Sequence, residues 1–188
     1  RKGLEREGIL YRGVIYLGLM LTSKGPKLLE FNVRFGDPET QALVGLVDLP
    51  YLEIMDATQQ GSLSKFSYDL FLRHLERNPR ASACVVLASG GYPGESETGR
   101  IIEGQAISAP QNGPFAELAA PRALDAPDGA LFFHAGTARQ NDQVVTTGGR
   151  VLSVVGTGRF LDDARRAAYG AVGKIKFQGM QFRMDIGT

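Results

Sequence analysis

The sequence predicts an α+β fold: a β-hairpin with helices in its first part, then a β-rich second part closed by one helix. Three observations predict it. Residues 13–22 (GVIYLGLMLT) and 27–35 (KLLEFNVRF) are β-rich runs parted by Ser-Lys-Gly-Pro, which is a hairpin pattern. From Ala81 onward, short apolar runs alternate with Gly and Pro, the texture of short strands and turns. Residues 161–177 (LDDARRAAYGAVGKIKF) form one amphipathic helical pattern.

Bulk properties narrow the function class. A length of 188 residues allows one domain or two small ones. With 43% hydrophobic and 22% charged residues the chain is of the soluble globular class. Its 21 basic and 20 acidic residues nearly cancel, so no field favours nucleic acid or an anionic membrane. No apolar run approaches the ~18 residues of a membrane span, and the opening residues do not read as a signal peptide. Cys84, the single cysteine, sits in ACVVLA, cannot form an internal disulfide and reads as core, which fits a cytoplasmic location. The chain begins at Arg1 and passes at once through a helix-like stretch into a strand, which reads as an excerpt from a longer polypeptide.

The hairpin comes first. Strand side chains alternate between faces, so Glu30, Asn32 and Arg34 share one face and Leu29, Phe31, Val33 and Phe35 the other. If the turn centres near Gly25, Gly18 falls opposite Asn32 and leaves space above the polar face. Gly36 permits a sharp turn, Asp37 suits an N-cap and Pro38 the first helical position. That helix is expected to reach about Leu46, with Leu43, Val44 and Val47 facing inward. A second helix is expected from Pro50 to Gln60, stopped by Gly61. Residues 67–80 mix apolar and charged positions, and Asn78-Pro79 is the expected boundary between a domain of residues 1–79 and one of residues 80–188.

In the second domain the expected strands are residues 81–89, 100–108, 129–138, 143–147 and 150–156. The last two are expected to pair through a Gly148-Gly149 turn. Residues 109–115 read as a surface loop. The helix over 161–177 has Asp162 and Asp163 near its start and Lys174 and Lys176 near its end, as the helix dipole favours. His134 has no visible acid partner and reads as a structural hydrogen bond, and His74 reads as solvated. Tyr92-Pro93-Gly94 reads as a turn.

The polar row on the hairpin carries the chemistry. A carboxylate and an amide two residues apart on one strand face give neighbouring oxygen ligands, which hard Mg²⁺ accepts while keeping phosphates and water in its other sites. Arg34 could offset charge on a phosphoryl group during transfer. The row is equally compatible with a solvated strand face. GDPETQ likewise has a structural reading, with Asp37 as cap and Glu39 complementing the helix dipole.

The whole run LLEFNVRFGDPETQ resembles the metal-binding strand and turn of the glycinamide ribonucleotide synthetases, the phosphoribosylamine–glycine ligases, of the ATP-grasp superfamily. EGILYRGVIYLGLMLT, ASGGYPGESETG, FFHAGTA, TTGGRVLSVVG and FRMDIG are similar to further landmarks of that family, in the family's order. The resemblance implies the later part of an ATP-grasp core followed by the family's C-terminal domain, with the substrate-binding domain and the glycine-rich ATP lid upstream of Arg1. It implies ATP-dependent joining of glycine to 5-phosphoribosylamine, through glycyl phosphate, in purine biosynthesis. In that reading Glu30 and Asn32 are the Mg²⁺ (or Mn²⁺) ligands and Arg34 is catalytic. Asp37 and Glu39 bind the amine of glycine or phosphoribosylamine.

Two departures from the family stand out. After GYPG an aromatic residue and a lysine are replaced by Glu95, Ser96, Glu97 and Thr98, which puts an anion-binding role for that loop in doubt. The strand before Glu30 carries no acid, so the resemblance implies that Glu30 bridges both ions. Two rival readings remain: another ATP-grasp carboxylate–amine ligase, and a non-catalytic binding or scaffold module that keeps the fold.

Overall fold

The computed structural model describes residues 2–46, 50–65, 81–104 and 130–188. They fall into two compact units, one of residues 2–40 and 50–65, the other of residues 41–46, 81–104 and 130–188. The architecture is α+β in both. The expected boundary at Asn78-Pro79, His74 and the loop 109–115 lie outside the described residues.

In the first unit, helix α1 (Lys2–Arg6) precedes strands β1 (Tyr16–Thr22) and β2 (Gly25–Asn32), which form the expected antiparallel hairpin. The turn is tighter than the sequence suggests. Thr22 pairs with Gly25, so only Ser23 and Lys24 form the loop, and Gly25 takes φ 91°. Thr22 Oγ1 donates to the Gly25 carbonyl at 2.7 Å and accepts from the Lys24 N–H at 3.2 Å. A bulge between Gly18 and Leu19 leaves Leu29 unpaired, and Gly18 stands opposite Glu30 rather than Asn32, whose partner is Tyr16. Over Tyr16–Gly18 the register is therefore two residues from the expected one, and a slip of two keeps Glu30 and Asn32 on their expected face, whereas a slip of one would have inverted them. On the loop side of the bulge the offset is three residues.

β2 ends at Asn32, so Val33, Arg34 and Phe35 lie beyond the strand. The expected apolar face is open among the described residues, with Leu29 64% and Phe31 65% exposed. A two-stranded sheet has no second layer of its own to bury such a face.

Helix α2 (Glu39–Leu46) ends where expected but starts one residue later than an Asp37 cap with Pro38 as first helical residue requires. Asp37 and Pro38, joined by a cis peptide, form the turn ahead of it. From Gln41 onward α2 belongs to the second unit. Leu43 and Val44 are exposed there and Gly45 faces inward: a Cβ at Gly45 would stand 2.9 Å from Val155 Cγ1. The close approach of helix to sheet, not apolar periodicity, selects the inward face. Helix α3 (Tyr51–Gln60) matches its expected span. Gly61 at φ 71° ends it, with Gly61 N–H donating to Thr58 O and Ser62 N–H to Ala57 O.

The second unit is built on strands β3 (Ala81–Ala88), β4 (Ala130–His134) and β7 (Arg150–Gly158), in the order β3-β7-β4. Strands β5 (Thr137–Gln140) and β6 (Gln143–Thr146) form a separate hairpin turning at Asn141 and Asp142, both at positive φ. Helix α4 (Leu161–Val172) packs on β7. Val85, Leu87, Val151, Val154, Ala164, Ala168 and Val172 form its core, all 2% exposed or less. Cys84 is half-buried and outside that core, because β3 turns Ala83, Val85 and Leu87 inward and Cys84 to the opposite face.

Four expectations are corrected here. Of the expected strand 129–138, the described residues 130–138 fall into two strands, because at Ala135 and Gly136 the chain leaves β4 while still donating to Val151 O and Arg150 O. Residues 143–147 and 150–156 do not pair with each other: β6 pairs with β5, and β7 with β3 and β4. Gly148-Gly149 is thus a link between sheets. Residues 100–104 make only isolated bridges, Ile101 to Val145 and Glu103 to Lys176. Finally, α4 stops at Val172. Ile175 and Phe177 alternate into the core while Lys176 pairs its backbone with Glu103, an option that competes with further helix after Gly173. Among the described residues no helix is long and apolar enough to cross a membrane.

Candidate functional site

The polar face of the hairpin gathers four side chains from three elements. On β2, Asn32 Nδ2 donates to Glu30 Oε1 at 3.0 Å, so the two side chains stand together as their spacing predicts. That bond leaves Asn32 Oδ1 and Glu30 Oε2 as oxygens able to face a cation. Gly18, across on β1, makes room for Glu30: a Cβ there would lie 2.9 Å from Glu30 Cγ.

Tyr16, two residues before Gly18 on the same face, donates its hydroxyl to Glu39 Oε1 at 3.1 Å. Glu39 is the first residue of α2. Gly36, buried at the preceding turn, backs the same carboxylate, since a Cβ on Gly36 would run into Glu39 Oε2 and stand 3.0 Å from its Cδ. The hydrogen bond to Glu39 pushes the Tyr16 pKa above its ordinary value. Burial and the charges of Glu39 and Glu30 add to the shift, and Arg34 opposes it. At neutral pH Tyr16 is therefore a protonated donor facing a carboxylate.

Arg34 and Asp37 stand differently from expectation. Arg34 is past the end of β2, on the bend, and NH1 donates to the neighbouring Phe35 carbonyl at 2.8 Å. It is near enough to Tyr16 to act on it electrostatically. Asp37 is exposed, in the turn before α2.

Nothing in the spacing of Tyr16 singles it out; as the polar ring two residues before Gly18, on a strand without an acid, it is the signal the sequence offers.

The donor set tests the implied ion. One carboxylate and one amide oxygen on an open strand face fit a hard divalent cation that keeps phosphate and water ligands. They do not make a closed cage, and among the described residues no group of three or more His, Cys, Asp or Glu could hold a metal.

Elsewhere, His134 Nδ1 and Thr137 Oγ1 lie 2.9 Å apart, a structural bond between the ends of β4 and β5. Glu97, one of the acids replacing the expected base, pairs with Arg100 at 2.9 Å. The turn 92–94 is held by Gln181, whose Nε2 donates to Ser89 O at 3.0 Å and Tyr92 O at 2.8 Å.

Comparison with known proteins gives the following. Residues 82–188 match the family described as phosphoribosylglycinamide synthetase, C domain, and residues 1–40 the phosphoribosylglycinamide synthetase ATP-grasp (A) domain. A phosphoribosylamine–glycine ligase of Caldanaerobacter subterraneus is 42% identical over 183 residues, 97% of this chain and 38% of the relative. One from Nostoc is 43% identical over 98% of this chain and 38% of its own length. The crystal structure of phosphoribosylamine–glycine ligase from Thermotoga maritima superposes with a TM-score of 0.70 at 34% identity, covering 98% of this chain and 39% of that one. The chain thus spans about two fifths of the length of these relatives.

Proposed function

The chain belongs to the phosphoribosylglycinamide synthetase family, and from that membership we propose that it forms part of a ligase joining glycine to 5-phosphoribosylamine. Residues 1–79 are the later part of its ATP-grasp domain and residues 80–188 its C-terminal domain. A glycine carboxylate oxygen attacks the γ-phosphorus of ATP and the bond to ADP breaks, giving glycyl phosphate. The amine of phosphoribosylamine then attacks the glycyl carbonyl. A C–N bond forms, phosphate leaves and the amine gives up a proton. The setting is cytoplasmic purine synthesis.

The polar residues on and just after the hairpin each take a role in this chemistry. Glu30 and Asn32 Oδ1 would hold Mg²⁺ or Mn²⁺, which would supply Lewis-acid neutralisation of charge on the nucleotide phosphates. Arg34 uses one nitrogen on Phe35 O, and its other donors offset charge on the transferring phosphoryl group. Glu39, with Asp37 in the turn beside it, accepts the ammonium or amine N–H of a substrate.

The observation that carries this reading is the paired Glu30–Asn32 on a face that also presents Glu39 and Tyr16. ADP release by the intact ligase containing these residues tests it. Release that needs glycine, phosphoribosylamine and a divalent ion together is expected. Turnover indifferent to glycine would overturn it.

A further inference from the structure

We propose that Tyr16 is a positioning residue: its hydroxyl, with Gly36, orients the Glu39 carboxylate beside the Glu30–Asn32 pair to receive the amino group of an amine substrate. The inference rests on the ligase reading above and deepens it at one residue.

Three observations converge on Glu39. Tyr16 lies directly opposite Asn32 in the hairpin, so its ring stands on the face that carries Glu30 and Asn32. Its hydroxyl holds Glu39 Oε1 at 3.1 Å from 23 residues away in sequence. Gly36 has no side chain where Glu39 Oε2 lies, and any Cβ there would displace it. Gly36 is not among the glycines at positive φ, so backbone conformation does not explain the glycine. The space it leaves for the carboxylate does.

A carboxylate at a helix N-terminus swings freely when exposed, and Glu39 is exposed. Held from two sides, it loses that freedom before substrate arrives, and the cost of ordering it is removed from binding. Four lone-pair positions on a carboxylate leave acceptor capacity after the phenol is satisfied. The ligand class follows from charge. An acceptor-only group next to a cation face, with a protonated phenol already donating, lacks only an N–H donor such as an ammonium.

A purely structural tie between β1 and α2 would behave differently, and a double-mutant cycle separates the two. In the intact ligase, Tyr16→Phe removes only the hydroxyl. It is expected to raise KM for glycine or phosphoribosylamine about tenfold, the size of a lost bond to a charged group, and to leave KM for ATP unchanged. Glu39→Gln should raise the same KM, and adding Tyr16→Phe to it should produce no further rise. Gly36→Ala, which displaces the carboxylate without touching Tyr16, should reproduce the effect. A tenfold rise that persists in the Glu39→Gln background, no rise in the wild-type background, or a change confined to melting temperature overturns the positioning role alone. Absence of glycine-dependent ADP release by the wild-type ligase overturns the functional reading and this inference with it.

Discussion

Glu30 and Asn32 owe their juxtaposition to period-two alternation, a property of two peptide units, and so they were legible without any tertiary information. Glu30 is exposed and Asn32 half-buried, so truncating either opens no core cavity. Glu30→Ala and Asn32→Ala are each expected to cut ligation by the intact enzyme about a hundredfold or more, with unchanged thermal unfolding. Near-normal turnover at saturating Mg²⁺ and ATP would remove them from the metal site. Arg34→Lys keeps the charge but loses the planar fork, and a fall in kcat with little change in ATP binding is expected from steady-state kinetics. Tyr16 offers a spectroscopic check. Its ionisation, read as the absorbance titration of the wild type minus that of Tyr16→Phe, should lie above the ordinary tyrosine value of about 10. Glu39→Gln should bring it back down, because the largest cause of the shift is the bond to that carboxylate.

Contact between helix and sheet decides the second unit. Gly156 and Gly158 sit on β7 beneath α4, and a Cβ on Gly156 would run into Ala164 O and Ala168 N, both backbone atoms that cannot step aside. Gly156→Ala is expected to cost about 1–3 kcal/mol or more in denaturant unfolding. Gly170, on α4 itself, has open space where its Cβ would be, and there the same change should stabilise by about 0.5–1 kcal/mol through helix propensity. The C-terminal segment docks on this helix. Tyr169 OH donates to Arg183 O at 2.9 Å and accepts from Ile186 N–H at 3.1 Å, while Arg165 Nε donates to Ile186 O at 3.0 Å. Within that segment Arg183 grips Asp185 with two nitrogens and holds its carboxyl below the usual carboxylate range. A lowered folded pKa stabilises above the unfolded value of about 4, and that stability is lost as pH falls through the folded one. The stability gap between wild type and Asp185→Asn should therefore close as the solution is acidified, in thermal melts at successive pH values.

For the chain as a whole, the hairpin presents its polar chemistry on one side and, among the described residues, an open apolar face on the other. Ligation needs ATP, ion, glycine and amine held together, and the ~7–11 kcal/mol available from positioning appears only when all are in place. This chain spans 38% of the length of the Caldanaerobacter ligase and holds the hydrogen-bonded Glu30–Asn32 pair proposed to face a cation, with the Glu39 carboxylate bound by Tyr16. Alone it is expected to bind Mg²⁺–nucleotide weakly and to release no ADP in response to glycine. Robust glycine-dependent release by residues 1–188 would mean that the GYPG and HAGT segments supply a site assigned here to structure.

Features settled within a few residues of chain were determined by the sequence alone. They include the two faces of β2, the stop of α3 at Gly61, the acids opening α4 and the ordered landmarks that identify the family. Each depends on dihedral preference, alternation or a local side-chain bond, and none waits for a distant partner. Tertiary structure decided the rest. The two-residue loop and the bulge set the hairpin register. Competition for the edges of β7 split residues 130–138 and gave β6 to β5. The backbone bridge to Glu103 ended α4 short of Lys174. The Tyr16–Glu39 bond joins a strand position and a helix position whose relation exists only after the hairpin has formed and the turn at Asp37-Pro38 has led into α2. A backbone N–H or a phenol takes whichever acceptor the fold brings nearest, and over a separation of 23 residues that choice is written in geometry, not in spacing.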